Sequence, residues 1–91
     1  MSLDKLEKYI EILLHLYLNK TATRNQIADK YQITYSTLSS LFNKWIDEGY
    51  IVKVDIEITY AGEDRYGYQI TEKGIGYLKN MQEKLNKTLK K

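Results

Sequence analysis

The chain reads as an α+β domain of four helices and a β-hairpin, on three observations. Apolar residues recur at helical spacing over 3–19, 34–48 and 72–89. The pattern switches to strict alternation after Tyr50 and again over 66–70. Between the first helix and the hairpin, 23–49 holds two separately capped helical segments joined by a two-residue polar turn.

In the first helix, Leu3, Leu6, Ile10, Leu13, Leu14 and Tyr17 form one broad stripe expected to be buried. Ser2 is a candidate cap, with Asp4 in the first turn, where the helix dipole favours an anion. Ile12, Leu16 and Leu18 widen the apolar surface beyond one stripe, which suggests a second contact such as a partner subunit. His15 lies off the stripe and is expected at solvent or an interface. The connector Lys20-Thr21-Ala22 is short enough to run extended beside a small sheet.

Thr23 followed by Gln26 makes a T-x-x-Q capping box for the second helix, whose modest apolar face is Ile27, Ala28 and Tyr31. Gln32-Ile33 is the turn, and Ile33 plugs the junction. Thr34 caps the third helix. There Leu38, Leu41, Phe42, Trp45 and Ile46 face the core, while Ser36, Thr37, Ser40, Asn43 and Lys44 lie opposite, with Tyr35 and Ser39 at the margins. Serine and threonine are poor helix formers, so the hydroxyls crowded into 34–40 are not there for helix stability. Gly49 suits the left-handed residue that closes a helix.

Val52, Val54, Ile56 and Ile58 alternate with Lys53, Asp55, Glu57 and Thr59 as a half-buried strand. Pairing Tyr60 with Tyr66 brings Ile58 to Tyr68 and Ile56 to Ile70 on one face. The loop between holds Glu63, Asp64 and Arg65. Thr71 caps the last helix, where Ile75, Leu78, Gln82, Leu85 and Leu89 step by 3, 4, 3 and 4 as a short a/d seam.

Composition narrows the function. Ninety-one residues, 43% hydrophobic and 29% charged, suit one globular domain with a core small enough to gain from a second subunit. The absence of cysteine and the single histidine argue against metal and cofactor sites. No stretch is long and apolar enough for a membrane span, and the N-terminus does not read as a signal peptide, so an intracellular, cytoplasmic location is expected. Carboxylates do not cluster with a histidine or a glycine-rich phosphate loop, so an enzyme is not expected. Net charge is only +2, but it is uneven. Lys20, Arg24, Lys30 and Lys44 stand against Asp29 alone in 20–46. The segment 47–64 is acidic, and 71–91 carries six lysines against Glu72 and Glu83.

The run Ile33 to Ile51, with its hydroxyl-rich start, core positions and Asp47-Glu48-Gly49-Tyr50-Ile51 ending, resembles the recognition helix of winged helix-turn-helix regulators. Tyr68-Gln69-Ile70-Thr71-Glu72-Lys73-Gly74 resembles the end of the wing and the start of the last helix in MarR- and PadR-like proteins. Small archaeal and viral winged-helix regulators have this size. The resemblance covers nearly the whole chain. It implies one winged helix-turn-helix domain over 1–91: a helix at 3–19, the helix-turn-helix at 23–49, a two- or three-stranded wing at 50–70 and a C-terminal helix at 72–89. Two features depart from the pattern. Members often carry arginine where Ser40 stands, and their wing tips are often basic, whereas this tip carries Glu63 and Asp64.

The function so implied is sequence-specific binding of double-stranded DNA by a dimeric transcriptional regulator, without a cofactor. Helix 35–48 would enter the major groove, with Ser36, Thr37, Ser40 and Asn43 at base edges. Lys20, Arg24, Lys30, Thr34, Tyr35, Ser39, Lys44, Lys53 and Arg65 would meet phosphates. Leu3, Leu6, Ile10, Leu78, Gln82, Leu85 and Leu89 would form a homodimer contact suited to an inverted repeat. The alternative is a winged helix used as a protein-interaction module, since fold does not fix function and an acidic wing suits protein partners.

Overall fold

A computed structural model of the chain describes residues 3–56 and 66–89; of Leu3 and Leu89 only the backbone is described. The elements run α1 (Leu3–Asn19), α2 (Arg24–Tyr31), α3 (Tyr35–Glu48), β1 (Ile51–Asp55), β2 (Tyr66–Ile70) and α4 (Glu72–Leu89). The fold is α+β, with four helices and an antiparallel two-stranded sheet. Ser2 and the wing tip, including Glu63, Asp64 and Arg65, lie outside the described residues.

The helix boundaries follow from local chemistry. The Thr23 hydroxyl accepts from the Gln26 amide at 3.1 Å, and the Thr23 amide donates back to Gln26 Oε1 at 3.0 Å, which completes the capping box. Gln32 ends α2 in the left-handed region (φ 54°), and the Ile33 amide donates to the Ala28 carbonyl. Thr34 caps α3 by accepting from the Thr37 amide. Gly49 closes α3 at φ 83°, where a side chain would be strained.

The core is built on α1, which packs against α2, α4 and β2. Ile12, Leu13 and Leu16 are wholly buried, with Leu6 and Ile10 nearly so. From α3 come Leu38, Phe42 and Trp45, and from α2 comes Ile27. Phe42 lies between the Trp45 and Tyr68 rings, with centroids at 5.9 and 4.7 Å. The expected α1 stripe is corrected here. Ile12 and Leu16 belong to the deep side, whereas Tyr17 is 51% and Leu18 68% exposed, because in the last turn of the helix Leu16 takes the inward position and Tyr17 only borders an open cleft with Gln69 and Ile70 of β2.

The expected hairpin register is also wrong. Ile70 faces Ile51, not Ile56, and Tyr68 faces Lys53, not Ile58. The slip is an odd number of residues, and Ile51, not Val52, is the buried residue at the start of β1, while Val54 is half-buried and Lys53 and Asp55 are exposed. The cause lies at the base of the hairpin. The Thr71 amide donates to the Tyr50 carbonyl at 2.9 Å, directly below the Ile51–Ile70 pair, so the α3 terminus and the α4 cap set the register together. On the far edge of β2, Ala22 and Tyr68 exchange both backbone hydrogen bonds, so the connector after α1 makes a single antiparallel bridge to the two-stranded sheet.

Helix α4 docks through Gly74, Tyr77, Leu78 and Met81. The Tyr77 ring stacks on Tyr50 at 4.0 Å, nearly parallel. This rotates the expected seam. Met81, not Gln82, is the buried residue after Leu78, because the aromatic stack orients the helix about its axis. Gly74 is required for the approach, since a Cβ there would overlap the Tyr50 carbonyl oxygen.

Candidate nucleic-acid interface

The exposed side of α3 is the candidate site. Burial of Leu38, Phe42 and Trp45 turns Ser36, Thr37, Ser40, Asn43 and Lys44 outward, and all five are exposed. Ser36, Ser40 and Asn43 follow one line at spacings of four and three. Asp47 continues that line one turn on and is exposed, with Glu48 beside it. The face is therefore hydroxylic at its start, positive at Lys44 and acidic at its end. The part up to Lys44 suits a polyanion and the last turn does not, and the helix dipole acts in the same sense.

The start of α3 is ordered by its own hydroxyls. Thr34 Oγ1 donates to Thr37 Oγ1 at 2.7 Å, which leaves the Thr37 hydroxyl proton for an external acceptor. Tyr35 is 42% exposed at the first helical position.

Arg24 and Ser39 were each expected at a phosphate, and the structure joins them to one another. Arg24 Nη1 donates to Ser39 Oγ at 2.9 Å. Its guanidinium lies 4.9 Å from the centre of the Tyr35 ring and 5.7 Å from that of Tyr68, and its Nε is buried without a hydrogen-bond acceptor. The side chain thus pins α2, α3 and β2 together.

The remaining expected phosphate residues are dispersed. Lys30 is exposed at the end of α2, its ammonium 5.7 Å from the Tyr31 ring centre. Lys20 takes the left-handed region (φ 64°) after α1 and lines a small cleft with Leu16, Tyr17, Gln69 and Ile70, apart from α3. Lys53 stands on β1 with its ammonium 4.0 Å over the Tyr66 ring. Arg65 is outside the described residues.

Two features escaped the sequence reading. Asn25 and Gln26, at the start of α2, line a cleft of about 600 Å³ with Ile33 and Tyr35, which extends the polar surface across the helix pair. Lys5 and Lys8 lie on α1 beside α3, where they share a groove with Thr37, Ser40 and Lys44. Their i, i+3 spacing away from the apolar stripe was the available signal.

The expected dimer residues are partly consumed within the chain. Leu6, Ile10 and Leu78 are buried in the chain's own core, and Leu85 packs against it. Gln82 is half-buried. His15 is half-buried too; its Nδ1 lies 3.3 Å from the Tyr31 hydroxyl, and the rings meet edge to face. Burial, and then the Lys30 charge, lowers the imidazole pKa below its ordinary 6.5. Among the described residues, no group of three or more histidine, cysteine or carboxylate side chains could hold a metal, and no helix is long and apolar enough to cross a membrane.

No protein-family model matches the chain, and no curated protein sequence does. Solved structures do match. The chain superposes on the transcriptional regulator BldR from Sulfolobus solfataricus with a TM-score of 0.74 at 20% identity, covering 91% of this chain and 57% of that one. The fold is a winged helix-turn-helix. A MarR family transcriptional regulator from Silicibacter pomeroyi matches at TM-score 0.62 and 24% identity, over 84% of this chain and 49% of that one. A mutant of Lactococcus lactis ZitR in complex with DNA matches at TM-score 0.60 and 21% identity, over 91% of this chain and 56% of that one. The winged helix-turn-helix chain thus spans about half the length of the chains it resembles. At these identities the likeness is one of fold, and it agrees with the MarR-like resemblance of the sequence.

Proposed function

We propose that the winged helix-turn-helix chain binds double-stranded DNA sequence-specifically as a dimeric transcriptional regulator, with α3 in the major groove. The observation that carries this reading is the exposure of Ser36, Thr37, Ser40, Asn43 and Lys44 together on the outer face of a helix whose inner face buries Leu38, Phe42 and Trp45. Asn43 offers the donor and acceptor that pair bidentately with adenine, and the hydroxyls read permissively. With no arginine on this face, strong reading of guanine is not expected, and part of the specificity comes from DNA shape. Lys30, Lys44, the cap residue Thr34 and Tyr35 meet phosphates, joined by Lys20, Lys53 and Arg65 where the DNA path reaches them. Arg24 and Ser39 serve first by holding α3 in place.

Two copies pair through α1 and the outer end of α4. Leu85 and Leu89 carry that contact more than Leu6, Ile10 and Leu78, which are already buried. Paired modules would read an inverted repeat with half-sites roughly 34–36 Å apart. Replacing Leu85 and Leu89 together by lysine should convert a sedimenting dimer to monomer. An unchanged dimer would remove both residues from the interface.

The test of DNA binding is a mobility shift on random and selected duplexes across salt concentration. Affinity should fall steeply with salt, because neutralising phosphates releases counterions. Flat, negligible binding at low salt would overturn the reading in favour of a protein-interaction module.

A further inference from the structure

The line of exposed residues on α3 continues past those read as facing bases. Ser36, Ser40 and Asn43 are followed at helical spacing by Asp47, which is exposed and has no hydrogen-bond partner or ion pair among the described residues. Glu48 is turned about 100° from that line, and its charge bears on the Tyr77 hydroxyl of α4 instead. Asp47 is therefore the carboxylate on this face of α3. The position brings no structural gain. Asp47 sits in the last turn, at the negative end of the helix dipole, and no basic residue accompanies it there. A carboxylate in that place costs helix stability, and a residue chosen for folding alone would be basic or neutral. A departure of this kind from local preference marks a functional position.

A rise of about 1.5 Å per residue sets Asp47 roughly 6 Å beyond Asn43 along the helix axis. Duplex DNA carries one charge per ~1.7 Å of its axis, and charges act over about 8 Å at physiological salt, so Asp47 stands within reach of phosphates. We propose that Asp47 determines specificity by repelling unrelated DNA. In the preferred complex, base contacts from Asn43 and the hydroxyls hold α3 deep in the groove, with Asp47 over base edges and away from the phosphates. On unrelated DNA the helix is held by phosphate contacts alone, and Asp47 is drawn among the phosphates of the groove wall. Its repulsion is larger there, so the wrong duplex is penalised more than the right one. The inference rests on the DNA-binding reading and adds to it a residue that selects by disfavouring.

The test is Asp47→Asn in mobility shifts on a selected and a random duplex. Affinity for the random duplex should rise about three- to tenfold at ~50 mM salt, and affinity for the selected duplex by less, so the ratio between them falls. Removing one like charge steepens the salt slope by ~0.9, so the gain on random DNA should shrink about threefold between ~50 and ~200 mM salt. Asp47→Ser should reproduce both effects, since the two variants share the lost charge and not the shape. Glu83→Gln makes the same change of net charge at an exposed position of α4 and should leave both affinities as they are. Unchanged affinity for the random duplex at low salt overturns the inference, as do equal gains on the two duplexes or an equal gain from Glu83→Gln. Loss of affinity for the selected duplex overturns it too, since Asp47 would then be accepting from a base amine. A native chain that binds neither duplex sinks the DNA-binding reading and this inference with it. A native chain that binds both, matched in every respect by its Asp47→Asn variant, sinks this inference alone.

Discussion

Arg24 donates through Nη1 to the Ser39 hydroxyl at 2.9 Å, and so fastens the first turn of α2 to the second turn of α3. The same guanidinium lies over Tyr35, the first residue of α3, and approaches Tyr68 on β2. One side chain therefore sets the attitude of the exposed helix to both its neighbours. Replacing Arg24 by alanine should cost about 1–2 kcal/mol in urea unfolding, summing a lost hydrogen bond and a lost cation–π contact. Lysine should restore only part of this, because an ammonium lacks the planar fork. A cost within about 0.5 kcal/mol, ordinary for a surface site, would deny Arg24 this role.

The exposed face of α3 separates two kinds of contact. Asn43→Ala should weaken preferred duplexes by about 1–3 kcal/mol while leaving random DNA nearly unaffected. Lys44→Ala should weaken all duplexes alike and reduce the salt slope by about 1. Mobility shifts on both substrates check this. Identical profiles for the two variants would remove Asn43 from base reading.

Gly74 and Gly76 sit on the same helix and should respond oppositely to alanine. At Gly74 the new methyl would meet the Tyr50 backbone and Ile70, whose Cγ1 would lie at 2.7 Å, so Gly74→Ala should destabilise by about 1–3 kcal/mol. At Gly76 nothing lies within 4 Å of a built Cβ, so Gly76→Ala should stabilise by about 0.5–1 kcal/mol through helix propensity alone. Urea midpoints of the two variants check the sign of each change.

His15 ties stability to pH. Its imidazole pKa is lowered in the folded chain, so the folded state binds fewer protons there than the unfolded state does. The contribution to stability is complete above 6.5, the ordinary value, and is lost as pH falls through the lowered folded value. Unfolding free energy should therefore decline from pH 6.5 towards about 5, below which carboxylates take over. His15→Gln should flatten that interval. An imidazole titration by NMR with its midpoint at or above 6.5 would contradict the premise.

The sequence by itself determined where the helices lie, because the signals involved are local. The capping box of Thr23 and Gln26, the Thr34 and Thr71 caps and the Gly49 terminator each act over three or four residues, and each forms as read. The outward face of α3 was legible for the same reason, since burying Leu38, Phe42 and Trp45 fixes which side chains turn away. Tertiary structure decided whatever depends on partners distant in the chain. The hairpin register came from Thr71 meeting the Tyr50 carbonyl, not from the alternation within β1. The rotation of α4 came from Tyr77 stacking on Tyr50. Arg24 reads as a solvent-facing cation until the fold brings Ser39, Tyr35 and Tyr68 around it. The lysine-rimmed groove has no counterpart in the linear chain, because Lys5 and Lys8 meet α3 only once α1 and α3 share a core. Periodicity reports which side of an element is apolar; it carries no information about which other element will cover that side.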